Sequence, residues 1–302
     1  MNIILAGGSG LIGRELTAAL LADNQHVWVL SRNPRAASVP SGAELVTWDA
    51  RTSAGWGHLV EEADAIFNLA GENLGGHRWT PAHKEKVLSS RANAGKAVML
   101  ALTEAKHRPG LLVQASAIGY YGASDERLLD EHSPAGKDWQ ARVCQGWEFS
   151  TLEAERLGVR RVVVRTGLVL TKIGGVLPKL LLPFRLFGGG PLGSGRQYYS
   201  WITMQDEIRA LLFLLKNENT AGVYNLTAPN PIPQAGFGHA IAQVLHRPYW
   251  FPAPAFAMRL ALGEMSTLVL DGQRVIPARL SEAGFNFSDE QLKPALQAIL
   301  AV

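Results

Sequence analysis

Apolar residues fall in short runs separated by segments of helical spacing, and the first thirty residues set the pattern. Ile3, Ile4, Leu5 and Ala6 read as a strand, a glycine-rich turn follows, then an apolar-periodic helix, then a second strand ending at Ser31 and Arg32. Further apolar runs predict strands over 44–48, 65–71, 111–115 and 160–165. Between them the spacing predicts a poorly patterned helix after Asp49, a long helix over 80–106 with Pro81 in its first turn, and another over 139–157. Strands alternating with helices over this whole span argue for an α/β fold with a parallel, doubly wound sheet. Ligands on such sheets sit beyond the carboxyl ends of the strands.

From Thr171 the texture changes. Glycine and proline become dense (Gly174, Gly175, Pro178, Pro183, then Gly188 to Pro191), which breaks the alternation and predicts a smaller substrate-side lobe. A helix over 203–216, with Asp206 at capping-box distance from Thr203, and a strand over 223–226 predict a return to the main sheet. The remainder, with Pro248, Pro252 and Pro254 and helices near 255–263 and 290–300, predicts a compact C-terminal cap. The expected division is a nucleotide-binding domain over 1–172, rejoined by 203–226, and a C-terminal lobe from 173–202 and 227–302. No internal repeat or low-complexity tract interrupts it.

The turn after the first strand is Gly7-Gly8-Ser9-Gly10-Leu11-Ile12-Gly13. Glycines in this spacing, between a strand and a helix, let the backbone approach a pyrophosphate, and the helix N-terminus offers free N–H groups and a positive dipole end. The reading is a Rossmann dinucleotide site resting on Gly7, Gly10, Leu11, Ile12 and Gly13, against the alternative of a βα turn without a ligand. At the end of the second strand, where an NAD site carries a carboxylate, the chain has Ser31-Arg32-Asn33. Arginine's planar fork suits a 2′-phosphate, so NADP(H) is the expected cofactor; the alternative is a solvated surface arginine. Asp49 falls where an adenine edge would be hydrogen-bonded, or where a turn needs a former. Leu69, Ala70 and Gly71 let the backbone pass close under a cofactor. Arg91 on the long helix and Ala115 at the end of the fifth strand complete the expected cofactor set. The loop over 72–79 reads as an active-site loop with Glu72, Asn73 and Arg78; Arg196 stands in a second glycine-rich loop.

Composition narrows the class. The 302 residues carry a formal charge of +3, too mild to argue for nucleic acid, and no Lys/Arg cluster is interleaved with aromatics along one face. The single cysteine, Cys144, excludes an internal disulfide framework and fits a reducing compartment. No uncharged apolar run has the length of a membrane span, and the first strand starts at residue 2. A cytoplasmic protein without a leader, with a small-molecule substrate and neither nucleic acid nor membrane as partner, is expected; no motif speaks to oligomeric state. The eight histidines are scattered without metal-ligand spacing, and Gly8-Ser9-Gly10 is not a hydrolase elbow. The acidic loop of Asp125, Glu126, Asp130, Glu131 and His132 reads as solvated, with a gate over the site as the alternative.

Taken together, Gly7, Gly10 and Gly13, Asp49, Asn68-Leu69-Ala70-Gly71, Tyr121-Gly122 and Arg165-Thr166-Gly167 resemble the extended short-chain dehydrogenase/reductases, the NAD(P)-dependent sugar epimerases and dehydratases. Gly71-Glu72-Asn73, Arg78-Trp79, Ser116-Ala117, Gly119 to Gly122, Leu181 to Arg185, Gly193 to Gln197 and Asp271 to Pro277 are similar to its atypical epimerase-family branch. The resemblance implies NADP(H) binding. It also implies a tyrosine, a lysine four residues on, and a strand-five serine or threonine as the hydride-transfer machinery. Here those positions fall on Gln140, Cys144 and Ala117, and no Tyr-x-x-x-Lys occurs in that helix in any register. A phenol without a nearby cation is a poor base near neutrality. Three readings stand: an NADP(H)-dependent oxidoreductase or epimerase with a displaced acid/base, for which Ser116 and Tyr120 lead; a non-catalytic NADP(H)-binding sensor or scaffold; and a redox-active Cys144, against an inert buried thiol.

Overall fold

The computed structural model of the protein describes residues 1–124 and 126–300. Its sheet is built from β1 (Asn2–Ala6), β2 (His26–Ser31), β3 (Glu44–Thr47), β4 (Ala65–Asn68), β5 (Leu111–Ala117), β6 (Arg160–Thr166) and β7 (Gly222–Leu226). These pair in the order β7-β6-β5-β4-β1-β2-β3, parallel throughout. The order reverses at β1, and α1 (Leu11–Ala22) leaves from that switch point.

Alternate residues of the strands feed two cores, as a sheet covered on both faces requires. Ile3, Leu5, Val29, Phe67, Val113 and Val162 pack with Leu16 and Leu20 of α1 and with Leu211 and Leu214 of α5 (Met204–Lys216). Ile4, Trp28, Leu30, Ile66 and Leu112 pack with Ala94, Val98 and Leu102 of α2 (Pro81–Glu104). The Thr80 hydroxyl caps α2 by accepting the His83 N–H, and Thr203 caps α5 by accepting the Asp206 N–H. No helix among the described residues is long and apolar enough to cross a membrane.

The C-terminal lobe has its own core, in which α4 (Leu177–Arg185), α6 (Gln234–Leu245) and α8 (Leu292–Leu300) bury Leu177, Leu181, Phe184, Phe237, Ile241 and Leu296. Here α3 is the helix Trp139–Phe149 and α7 is Ala255–Leu262. Arg274–Val275 pairs in parallel with Leu128–Leu129. The Ser200 hydroxyl donates to the Gln273 carbonyl and accepts the Val275 N–H, fixing the 271–275 segment against the rest of the lobe.

Several elements differ from the sequence expectation. The helix over 139–157 stops at Phe149, where Ser150 Oγ turns back to the Trp147 carbonyl, and resumes as a 3₁₀ turn over Leu152–Leu157. The segment after Asp49 is a 3₁₀ turn at Gly57–Glu61. Pro178 and Pro183 suggested broken structure, yet they sit in α4: Pro178 occupies its first turn, where no N–H is needed. The buried spacing of Leu177, Leu181 and Phe184 holds the rest despite Pro183. The Gly- and Ala-rich α6 was not expected at all. β4 ends at Asn68, three residues early, and β5 runs two residues long, to Ala117.

Candidate functional site

The first half of the site is backbone. Gly7 has φ +89°, and a Cβ there would lie 2.8 Å from the Leu69 carbonyl, so the turn rests against the chain leaving β4. A Cβ at Gly13 would lie 2.3 Å from the Gly7 oxygen, so α1 can start this close to β1 only with glycine. Gly10 is the N-cap of α1, and the first turn has neither a side-chain cap nor an acidic residue. The dipole end and N–H groups of Leu11, Ile12 and Gly13 are thus left to an anion. A dinucleotide fits this cradle. Where β2 ends, Ser31 is buried and accepts the Asn33 N–H, while Arg32 is exposed and has no ion-pair partner among the described residues.

The second half is made of side chains. Beyond the ends of β5 and β6 lies a cavity of about 180 Å³. Gln140, Val143, Cys144 and Trp147 of α3 line one wall; they stand at i, i+3, i+4 and i+7, which puts them on one helix face. Ala117, Thr166 and Leu168 form the floor at the strand ends, and Tyr198, Thr267, Leu268 and Asp271 of the lobe form the opposite wall. Most hydroxyls here are engaged. Thr166 donates to Glu207, Tyr199 to the Val269 carbonyl, Ser200 to the Gln273 carbonyl and Thr267 to the Glu264 carbonyl. The Tyr198 hydroxyl has no partner among the described residues. Gln140 Nε2 donates to Thr267 Oγ1, tying the two walls. Burial, aided by the charge of Asp138 and opposed by Arg259, holds the Asp271 carboxyl above its ordinary range. Burial also pushes the Cys144 thiol up to about 11, against the pull of Arg91, so it stays protonated at neutral pH.

Beneath the cavity a buried polar group joins β5, β6 and α3. Arg165 donates from Nε and Nη2 to the two Glu148 oxygens at 2.8 and 2.9 Å, and from Nη1 to Tyr121 Oη. Tyr121 donates to Asn225 Oδ1 and Ser116 donates to Glu148 Oε1. Burial alone would lower the Arg165 guanidinium; the bonds and charge of Glu148 raise it instead.

The sequence-selected residues separate cleanly against this geometry. At the cradle Gly7 meets Leu69 and Ala70, Gly10 and Gly13 lie against the Gly7 oxygen, and Leu11 packs on Gly174 and Gly175 of the lobe. Arg91 lines the cavity, its buried guanidinium donating to the Glu72 and Val87 carbonyls, 4.6 Å from the centre of the Trp147 ring and against Gly71. Asp49 takes the turn-forming role, accepting the Arg51 and Thr52 N–H groups and the Thr52 hydroxyl. Ala115 is buried in the sheet core. Ser116 and Tyr120 are not brought to the cavity: Ser116 is spent on Glu148, and the Tyr120 ring lies under the Arg165 guanidinium. Of the expected substrate residues, Glu72 pairs with Lys86, Asn73 closes a turn on Gly75, Arg78 donates to the Ala261 carbonyl and Arg196 pairs with Glu126; none of them lines the cavity. In the acidic loop Asp125 lies outside the described residues, and Glu131 is buried, accepting the Asn225 and Arg279 N–H groups rather than facing water. Sequence reasoning missed Trp139, Trp147, Tyr198, Thr267 and Asp271. The one-face spacing on α3 was the available signal for Trp147. No group of three or more His, Cys, Asp or Glu among the described residues is arranged for a metal.

A doubly wound parallel sheet with a glycine cradle at its switch point defines a dinucleotide-binding α/β protein. Residues 3–227 match the NAD dependent epimerase/dehydratase family, and residues 253–299 match a domain of unknown function, DUF1731. The chain belongs to the NAD-dependent epimerase/dehydratase family. It is 38% identical to the epimerase family protein YfhF of Bacillus subtilis, over all of this chain and 98% of that one. It is 39% identical to the chloroplastic epimerase family protein SDR39U1 homolog of Arabidopsis thaliana, over 99% of this chain and 87% of that one. The crystal structure of human epimerase family protein SDR39U1 (isoform 2) with NADPH superposes with a TM-score of 0.88 at 33% identity, covering 100% of this chain and 99% of that one.

Proposed function

We propose that the protein is an NADP(H)-dependent oxidoreductase or epimerase in which the usual tyrosine–lysine pair is missing. The observation that carries the cofactor half is the uncapped α1 N-terminus on a glycine cradle, next to a strand end that bears Arg32 and no carboxylate. The human relative solved with NADPH supports the same choice. Leu11, Ile12 and Gly13 would hold the pyrophosphate and Arg32 the 2′-phosphate. Bound NADPH supplies a hydride equivalent. The chain's own residues would hold a carbonyl substrate in the cavity, exclude water with Trp139, Val143 and Trp147, and offer Tyr198 Oη as the proton donor to the carbonyl oxygen. Water would restore the Tyr198 proton. The single buried cysteine fits a reducing, cytoplasmic setting, which cell fractionation tests.

Titration with NADPH, NADP, NADH and NAD tests the cofactor reading. Selective tight binding of the phosphorylated pair is expected, and Arg32→Asp should weaken NADPH by about tenfold or more while sparing NADH, as loss of one charge-assisted contact implies. Equal losses for both cofactors would remove the 2′-phosphate role. A second reading, a non-catalytic NADP(H) sensor, is favoured by Gln140, Cys144 and Ala117 standing together on the cavity wall. It predicts NADPH binding without turnover of any carbonyl compound, and no effect of Tyr198→Phe.

A further inference from the structure

We infer that one face of the C-terminal lobe, carried by α4, α7 and the 250–251 segment, docks on the surface of an anionic lipid bilayer. The inference is independent of the cofactor and of any reaction.

The face is apolar where a water-facing surface is normally polar. α7 buries none of its eight residues, and its Phe256 and Leu260 are 73% and 83% exposed. They stand at i and i+4, hence on one side of the helix. Leu182 and Leu186 of α4 share that spacing and are also exposed, and exposed Phe187 follows them. Trp250 is 66% exposed and Phe251 beside it 58%. Single exposed apolar residues call for no explanation, but neighbours in this number mark a contact surface.

Hydrogen bonds join these pieces. Trp250 Nε1 donates to the Phe187 carbonyl at 2.9 Å, and the Trp250 and Phe251 N–H groups both donate to the Gly189 carbonyl. The end of α4 therefore lies beside the segment that leads into α7. At their other ends the two helices hold one loop. Lys179, near the start of α4, donates to the Gly75 carbonyl, and Arg78 donates to the Ala261 carbonyl at the end of α7. The helices thus run antiparallel between two shared anchors.

Charge names the partner. Residues 171–205 and 219–263 hold six of the 29 lysines and arginines and none of the 26 aspartates and glutamates. They carry +6, and the rest of the chain carries −3. Lys179, Arg185, Arg247 and Arg259 are exposed among the apolar residues and form no ion pair among the described residues. The Arg247 guanidinium sits 4.6 Å from the centre of the Phe187 ring. Two acids border the face: Glu264, which pairs with Lys84, and half-buried Asp271, on which the charge of Arg259 acts. Aromatic and leucine tips interspersed with cations match a surface lying in the interface of an anionic bilayer. A second copy of the chain fits worse, because a two-fold contact would set these cations against themselves. Such a contact needs no spanning run, so the absence of one does not bear on it.

The test is flotation of the full chain with phosphatidylcholine vesicles, with or without about one-third phosphatidylglycerol, at about 0.1 and 1 M salt. Expected is binding to the anionic vesicles alone, weakened about fivefold or more at the higher salt. Arg185→Glu with Arg247→Glu should weaken it about 25-fold or more, at about fivefold per cation. Lys96→Glu with Lys106→Glu makes the same change in net charge at exposed cations in and just after α2, and should cost less than about twofold. Phe256→Ser with Leu260→Ser removes tips that no packing holds, and should weaken binding about tenfold or more while the melting temperature stays at the parent value. Failure to float with anionic vesicles overturns the proposal, as does equal binding to neutral ones. So does a control reversal that costs as much as the reversal on the face. A dimer in sedimentation equilibrium that the Phe256→Ser, Leu260→Ser variant dissolves, without vesicle binding, overturns it in favour of a second copy.

Discussion

The two halves of the site are built by different means. The cradle at β1 and α1 is a backbone object, in which Gly7 and Gly13 make room for main chain and the helix end supplies the donors. The cavity beyond β5 and β6 is a side-chain object, assembled from α3, two strand ends and a segment of the C-terminal lobe. A backbone site tolerates changes in most side chains and fails when a Cβ is added. A side-chain site resting on buried charge fails when one partner is removed.

The largest expected effect tests the second half. Glu148→Gln strands the buried Arg165 guanidinium and should cost about 3–5 kcal/mol in urea unfolding, as breaking a buried ion pair does. The double variant Glu148→Leu with Arg165→Met should recover much of that loss; if it is no better than the single, the pair is not the cause. Next, Gly13→Ala places a methyl 2.3 Å from the Gly7 oxygen, and overpacking of this kind costs about 1–3 kcal/mol. NADPH affinity should fall with it, and a variant that melts and binds like the parent would mean the turn is not backbone-limited.

A third effect appears as pH dependence. Glu207 is buried, bonded to the Thr166 hydroxyl, and burial raises its carboxyl from 4.5 to about 8. The folded chain therefore holds a proton that the unfolded chain releases between about pH 4.5 and 8. Stability is full below that window, falls as pH rises through it by at most about 1.4 kcal/mol per unit, and is flat above it. Glu207→Gln should flatten the melting curve over the window; parallel curves for parent and variant would refute the assignment. The smallest effect is Cys144→Ala, expected to cost about 1 kcal/mol from lost burial and to leave NADPH binding unchanged. Only a redox-active thiol predicts loss of activity in that variant.

The same contrast explains what the sequence disclosed. The glycine spacing and the strand-helix alternation are local patterns, so the sheet and the cradle could be read within a few residues of each feature. The cavity depends on Asp271 meeting Tyr198 and Gln140, which stand 73 and 131 positions away in the chain, and no local period encodes that meeting. Strand parity did the rest. Because β5 continues to Ala117, that residue joins the cavity and Ser116, one position earlier, is committed to Glu148. Within the lobe, prolines and glycines hid α4 and α6, whose buried leucines and Phe237 outweigh poor intrinsic propensity.

The return of the chain to the sheet has a consequence in time. β7 pairs with β6 only after the chain has passed through α4 and the 198–203 strands, and the cavity wall at 267–273 comes later still. A chain emerging from the ribosome, where N-terminal units fold first, holds the strands of the cradle within its first 68 residues and β5 by residue 117. The pocket for the second ligand exists only when the last tenth of the chain is being made. A nascent chain thus has every residue of the glycine cradle well before the wall of the cavity at 267–273 has been made.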